Sequence, residues 1–162
     1  MTKLLEKLNQ QLVNHVTTPI MKDEARQRWF TGGEFQKDMA TVRQALLAMH
    51  VRKGDQILVS WDNSAVYPVL MQAIWELGAV AHPISETTPA AQLLSEWQEF
   101  HYPVVIVKPE LVTAFASVTD LVQHQAALET APVLPILGDQ SQLAQRSATV
   151  QQTIQEDDLA LI

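Results

Sequence analysis

Cysteine is absent from this 162-residue chain. Disulfides, thiolate metal sites and a cysteine nucleophile are therefore excluded. Glycine is scarce, with five residues: Gly32, Gly33, Gly54, Gly78 and Gly138. None of them falls into G-x-G-x-x-G, where glycines let a backbone approach a pyrophosphate, or into the G-x-x-x-x-G-K-[ST] phosphate loop. No apolar run approaches the ~20 residues of a membrane helix. The opening residues, Met1 to Lys7, carry charge inside their first apolar patch, where a signal peptide has an uninterrupted apolar stretch. These absences point to a cytoplasmic, soluble chain with no membrane span. Positive charge is also missing from most of it. Residues 1–53 hold nine Lys/Arg against five Asp/Glu, whereas residues 54–162 hold only Lys108 and Arg146 against thirteen acids. So acidic a body argues against nucleic acid as a partner, because phosphates must be neutralised by Lys and Arg. The basic residues at the front are spread over helical faces and read as a solvated surface.

What is present is a regular alternation of two periodicities. Leu4, Leu8, Leu12 and Val16, with Leu5 and Val13 beside them, form an apolar stripe on a first helix. Thr17-Thr18-Pro19 ends it, and residues 19–28 read as a loop with a short extended piece. Thr31-x-x-Glu34 has the form of a capping box. Behind it Phe35, Met39, Val42, Leu46 and Met49 step by four and three. Gly54-Asp55 makes a turn into the apolar run Gln56–Ser60. Asp62, Asn63 and Ser64 are candidate caps for a helix carrying Val66, Leu70, Ala73, Ile74 and Leu77, which Gly78 ends as a C-cap glycine. Residues 79–84 are a second strand. Thr88-Pro89 starts another helix, with a cap followed by proline at the first helical position. Val104–Val107 is a third strand. Helix resumes at Lys108-Pro109-Glu110 and breaks between Val118 and Gln125. Residues 133–137 form a fourth strand ended by Gly138-Asp139, residues 139–153 read as a surface loop, and Leu159–Ile162 as a fifth strand. Strands alternating with helices mean βαβ units and a parallel sheet covered on both faces.

Residues that could carry chemistry are few. The five histidines, His15, His50, His82, His101 and His124, have no metal-ligand spacing. His82, in a strand beside Pro83, reads as a structural residue. Ser60, Ser64 and Ser85 lie at strand or helix ends, but none sits in G-x-S-x-G, so a hydrolase elbow is unsupported. Asp62 has a sufficient role as a helix cap. Asp157 and Asp158 would point to opposite faces of a strand and form no acid/base pair.

Four stretches in order resemble the N-terminal part of the adenylate-forming enzymes: acyl-CoA synthetases, luciferases and peptide-synthetase adenylation domains. They are Trp29 to Phe35, His50 to Ile57, Asp62-Asn63-Ser64, and Leu77 to Pro83. Asp157 to Ile162 resembles the strand leading into that family's phosphate loop. Two departures stand out. Gly32-Gly33 replaces an aromatic-x pair, and Ala65-Val66-Tyr67 lacks a glutamate common after Asn-Ser. The resemblance implies a three-layer α/β/α sandwich with a mainly parallel sheet, the N-terminal subdomain of an adenylate-forming enzyme. Residues 1–28 would be an N-terminal helix and connecting loop, and residues 29–162 an α/β subdomain ending before the phosphate-binding loop.

For the parent enzyme the resemblance implies an ATP-dependent acyl-CoA ligase using Mg²⁺ and CoA. A carboxylate attacks the α-phosphate to give an acyl-adenylate and pyrophosphate, and a thiol then displaces AMP. Long-chain fatty acid–CoA ligases of fatty acid metabolism are the expected subclass. The family's catalytic motifs lie downstream of Ile162. Hence no catalytic, cofactor-binding or metal residue is assigned here, no cofactor is expected in this fragment, and it is expected to be inactive alone. Its expected partners are the remaining subdomains, with a fatty or other carboxylic acid as the parent's substrate, and exposed strand edges invite pairing with another copy. The alternatives are a standalone non-catalytic α/β interaction module derived from such an enzyme, and an unrelated Rossmann-like binder, which the glycine count disfavours.

Overall fold

Strand β3 (Gln56–Ser60) and strand β5 (Val104–Val107) lie at the centre of the fold. The structure, a computed structural model, describes residues 2–146. Ile57, Leu58, Val59 and all of β5 are 0% exposed, which requires cover on both faces of the sheet. Side chains alternate faces along a strand. Ile57, Val59, Val104 and Ile106 enter one apolar core, and Leu58, Val105 and Val107 enter another. Helices α1 (Lys3–Asn14), α2 (Gly32–Ala48) and α3 (Val66–Glu76) contribute to the first core. Helix α4 (Ala90–Phe100) and a 3₁₀ helix (Pro109–Phe115) contribute to the second. The result is the expected three-layer α/β/α arrangement.

The sheet is mixed rather than mainly parallel. With β4 (Val80–Ile84), β6 (Leu121–Ala126) and β7 (Leu134–Asp139), its order is β4-β3-β5-β7-β6. β3 pairs in parallel with β4 and β5, but β7 runs antiparallel to β5 and to β6. Residues 127–133 are too short for a helical crossover between β6 and β7, so the pair closes as a hairpin. Pro135 is tolerated inside β7 because the β5 ladder stops at Ile106↔Ile136, and its missing N–H breaks no bond there.

Several local expectations change. The helix expected from Lys108 is only the short 3₁₀ helix, and strand β6 occupies the stretch where a break in helix was expected. The polar stretch 19–28 contributes β1 (Pro19–Asp23), which pairs with β2 (Arg28–Thr31) as an antiparallel hairpin. The expected junction at residues 28/29 falls inside β2, and the hairpin packs Phe30, Ile20 and Met21 onto the first core. Helix α1 rotates its stripe, burying Leu5 and Leu12 and leaving Leu4, Val13 and Val16 outside. Helix α3 begins after Ala65 and helix α4 after Pro89, both without a side-chain cap. The polar stretch after β7 contains helix α5 (Gln140–Leu143) rather than only loop, with Leu143 buried. The expected strand at Leu159–Ile162 lies outside the described residues.

Other expectations hold in detail. The Glu34 amide donates to Thr31 Oγ1 and the Thr31 amide to Glu34 Oε1, both at 3.2 Å, closing the capping box. The stripe Phe35, Met39, Val42, Leu46 and Met49 is buried throughout. Gly54 and Gly78 adopt positive φ, and the Gly54 amide bonds Gly78 O, tying together the starts of β3 and β4. Three arginines of the basic front half also make bonds within the fold. Arg26 donates to the Glu129 and Thr130 carbonyls, Arg43 pairs with Glu76, and Arg28 bonds Glu34 and lies over the Phe30 ring.

The Gly32-Gly33 departure has a packing cause. Their amides bond His15 O and Val16 O at 2.9 and 3.0 Å, so the end of α1 lies directly on the start of α2. A Cβ on Gly32 would sit 2.6 Å from the carbonyls of Leu12 and His15. Backbone cannot swing aside as a side chain can. Gly32→Ala is therefore expected to lower stability by about 1–3 kcal/mol, read as a lower urea midpoint at unchanged slope.

Candidate functional site

The parallel strands end together along one rim. β3 runs into Trp61 and Asp62, β5 into Lys108, and β4 into Ser85 and Glu86. Connections that leave neighbouring strands toward opposite faces open a crevice at such a rim. Here α3, which follows β3, covers one face, and the 3₁₀ helix, which follows β5, covers the other. Two open clefts flank Trp61. One, of about 320 Å³, lies between Trp61, Asn63, Tyr67 and residues 83–86. The other, of about 360 Å³, lies between the β1–β2 hairpin, Trp61-Asp62, Pro109 and residues 130–133.

Lys108 holds the rim together. Its Nζ lies 2.7 Å from Asp62 Oδ2 and 3.9 Å from both Glu86 Oε2 and Glu110 Oε1. The hydrogen bond to Asp62 raises the Lys108 pKa in spite of partial desolvation. Burial alone would raise the Asp62 carboxyl. The hydrogen bonds from Lys108 and Ser64, with the lysine's charge, hold it below its ordinary 3.8. Asp62 thus serves as an ion-pair partner, and Ala65, not Asp62, occupies the cap position of α3. Nothing local in the sequence signals this pair. The two residues are far apart in the chain, and their shared trait is that each follows a buried strand.

The other candidates are dispersed. Ser60 closes β3 at 0% exposure, and its Oγ has no hydrogen-bond partner among the described residues. Ser85 Oγ is 2.8 Å from Thr87 Oγ1. His82 Nδ1 is 2.9 Å from Tyr102 Oη and its Nε2 is 3.6 Å from Glu96 Oε1. Burial, with Glu96 nearby, pushes the Tyr102 phenol up to about 12. His82 is therefore a packed, bonded residue, in line with its structural reading. His50 and His101 take left-handed backbone at the ends of α2 and α4, and His124 lies exposed on β6. Asp157 and Asp158 fall outside the described residues.

The rim sets one ammonium group against three carboxylates, and that donor set does not fit a triphosphate. Among the described residues no group of three or more His, Asp or Glu side chains is placed to hold a metal ion. No helix among them is long and apolar enough to cross a membrane.

Comparison with known proteins defines the class first. The N-terminal domain of FACL13 from Mycobacterium tuberculosis superimposes with a TM-score of 0.62 at 19% identity, over 98% of this chain and 35% of that one. The anthranilate CoA ligase AuaEII gives 0.61 at 20% identity, over 70% and 22%. At these identities the likeness concerns the fold, that of the N-terminal region of adenylate-forming enzymes. The chain belongs to the AMP-binding enzyme family, whose pattern matches residues 8–162. It is 32% identical over 93 residues to a 4-coumarate–CoA ligase-like protein of Oryza sativa subsp. japonica, covering 57% of this chain. It is 28% identical over 118 residues to a probable CoA ligase, CCL5, of Humulus lupulus, covering 62% of this chain. The matched stretch spans 16% of the rice protein's length and 21% of the hop protein's.

The rim generates a pH-dependent expectation. The carboxyl of Asp62 sits lower in the folded than in the unfolded chain. Its stabilising contribution is thus present above its ordinary 3.8 and lost as the pH falls through its own lower value. A carbon-detected NMR titration should place the Asp62 carboxyl below its ordinary 3.8, and Lys108→Met should move it upward.

Proposed function

We propose that this chain is the N-terminal α/β subdomain of an ATP-dependent acid–thiol ligase and serves it as a scaffold. The observation that carries the reading is the family match over residues 8–162, joined to relatives of which the matched stretch is about one-sixth to one-fifth. The parent would activate a carboxylate as an acyl-adenylate, with Mg²⁺ and ATP, and pass the acyl group to a thiol. The two plant relatives are described as CoA ligase proteins, which favours CoA as the acceptor. A long-chain fatty acid is the substrate class this reading carries, and the cytoplasm its compartment. The described residues supply neither a phosphate cradle nor a cationic rim, so adenylation is assigned to groups contributed by the remaining subdomains. Transition-state charge in such a step is stabilised by donors aimed at it, and an acidic rim supplies the opposite field.

ATP–pyrophosphate exchange tests this directly. The purified 162-residue chain should give exchange at background across a panel of carboxylic acids. The same residues continued into the rest of the ligase should give a signal with at least one acid, trapped as a hydroxamate when hydroxylamine is added. Exchange by the isolated chain overturns the scaffold reading. The absence of exchange in the longer polypeptide overturns the ligase reading.

A further inference from the structure

Among the described residues the main sheet has two edges, β4 and β6, and their backbones offer different things. On β4 the Val80 amide donates to Asp55 O at 2.8 Å. In the parallel ladder Val80, His82 and Ile84 therefore turn their N–H and C=O toward β3. Ala81 and Pro83 turn outward, and Pro83 has no N–H. That edge offers one outward donor. β6 reads Leu-Val-Gln-His-Gln-Ala, with no proline and no Lys, Arg, Asp or Glu. The Gln140 amide donates to Asp120 O at 2.8 Å. With the register Leu121↔Asp139 and the alternation of an antiparallel ladder, Val122, His124 and Ala126 turn their N–H and C=O toward β7. Leu121, Gln123 and Gln125 turn theirs outward, which gives this edge three outward donors.

The chain leaves the described residues at a defined end of the sheet. β7 finishes at Asp139, opposite Leu121 at the start of β6, and α5 follows at once. Arg146 is then held by Asp55 and by the His50 carbonyl, and Asp55 immediately precedes β3. The exit thus lies where β3, β5 and β6 begin, at the end of the sheet opposite the rim of Asp62 and Lys108. Twelve residues, 147–158, separate it from the apolar run Leu159-Ala160-Leu161-Ile162, which lies outside the described residues. From β7 across β6 to the next strand position is two strand spacings, about 10 Å, and twelve residues can reach about 40 Å. An apolar run of that length gains by leaving water, and Val122 on β6 is a large apolar side chain left 39% exposed.

We propose that Leu159–Ile162 docks on β6 as a sixth strand of this sheet, hydrogen-bonded to its outward side and parallel to it. The choice of edge follows from the donors, three on β6 against one on β4. The direction follows from the exit, because a chain that enters where β6 begins runs the way β6 runs. The outward N–H and C=O groups of Leu121, Gln123 and Gln125 then gain partners from within the chain, which removes the liability of an unpaired edge. The added strand carries Ile162 to the end of the sheet where β3, β4 and β5 finish, the end that bears Asp62 and Lys108. The inference concerns the chain's own backbone and is independent of the ligase reading.

Amide hydrogen exchange of the 162-residue chain, read at single residues by NMR at a concentration where sedimentation shows a monomer, tests the proposal. Leu121, Gln123 and Gln125 should exchange slower than in a free peptide by roughly tenfold or more, and nuclear Overhauser contacts should join β6 to residues 159–162 in parallel order. Successive residues of a strand turn their N–H groups to opposite sides, so either Ala160→Pro or Leu161→Pro removes a donor from the seam. The protection of the three amides should fall by roughly tenfold or more in at least one of these variants. Val122, His124 and Ala126, which bond β7, should keep theirs and so report that the fold is intact. The contacts in the unsubstituted chain decide the matter independently of either proline. Free exchange of the three amides in the monomer overturns the proposal, as does an antiparallel contact pattern. Protection that neither proline disturbs overturns it and locates the cover elsewhere. Protection that appears only as the chain self-associates, or only in a longer polypeptide, overturns it and assigns the edge to another strand.

Discussion

Burial of β3 and β5 on both faces is the constraint from which the rest of the architecture follows. A strand with no solvent-facing side must be apolar throughout, as Ile57-Leu58-Val59 and Val104–Val107 are. It also needs a helical layer above and below. α1, α2 and α3 supply one layer, and α4 with the 3₁₀ helix supplies the other. Because β3 pairs in parallel on both sides, its chain-end neighbours emerge on the same rim as those of β4 and β5. The Asp62–Lys108 pair exists because two such strands end side by side.

A second tier of contacts fastens the antiparallel half to this centre through polar groups. Asp38, 1% exposed on α2, accepts the amides of Glu129 and Thr130 at 2.8 Å and the Thr130 hydroxyl at 2.7 Å. Its two oxygens thus anchor the loop between β6 and β7, while Arg26 takes the carbonyls of the same two residues from the hairpin side. Arg146 forms a two-pronged ion pair with Asp55 and also donates to His50 O. Side-chain exposures of 13% and 10% make that pair a largely desolvated one. Removing one partner of such a pair leaves an uncompensated charge, typically a loss of about 3–5 kcal/mol. The ties at residues 129 and 130 also shape one of the clefts beside Trp61, whose walls include the hairpin and residues 130–133.

Much of this was legible in the residues themselves, and the failures have physical causes. The α2 stripe and its capping box were readable because both ends and one face of that helix are specified locally. β3, β4, β5 and β7 were readable as short apolar runs bounded by turns. β6 was not. Leu121-Val122-Gln123-His124-Gln125 has little apolar periodicity because an edge strand hydrogen-bonds on one side only and exposes most of its side chains. The β1–β2 hairpin was obscured because its strands are only five and four residues long, too short for a clear alternation. The α1 stripe was read one position out of phase because Leu4 and Leu5, and Leu12 and Val13, offer two nearly equal faces, and only contact with α2 and α3 chooses between them.

The candidate site divides along the same line. Family membership was written in an ordered series of short motifs from Trp29 to Pro83, and the lack of a glycine-rich phosphate cradle was equally plain from composition. Local sequence determined which segments are strand and helix, where turns need positive φ at Gly54 and Gly78, and which helix starts with a capping box. Tertiary structure alone decided that the sheet becomes antiparallel beyond β5, that Gly32 is required for α1 to lie against α2, and that Asp62 serves Lys108 rather than a helix cap. The reason is one of range. Caps and periodicities act over three or four residues, whereas strand direction, close backbone approach and ion pairing depend on groups dozens of residues apart that meet only once both cores have closed.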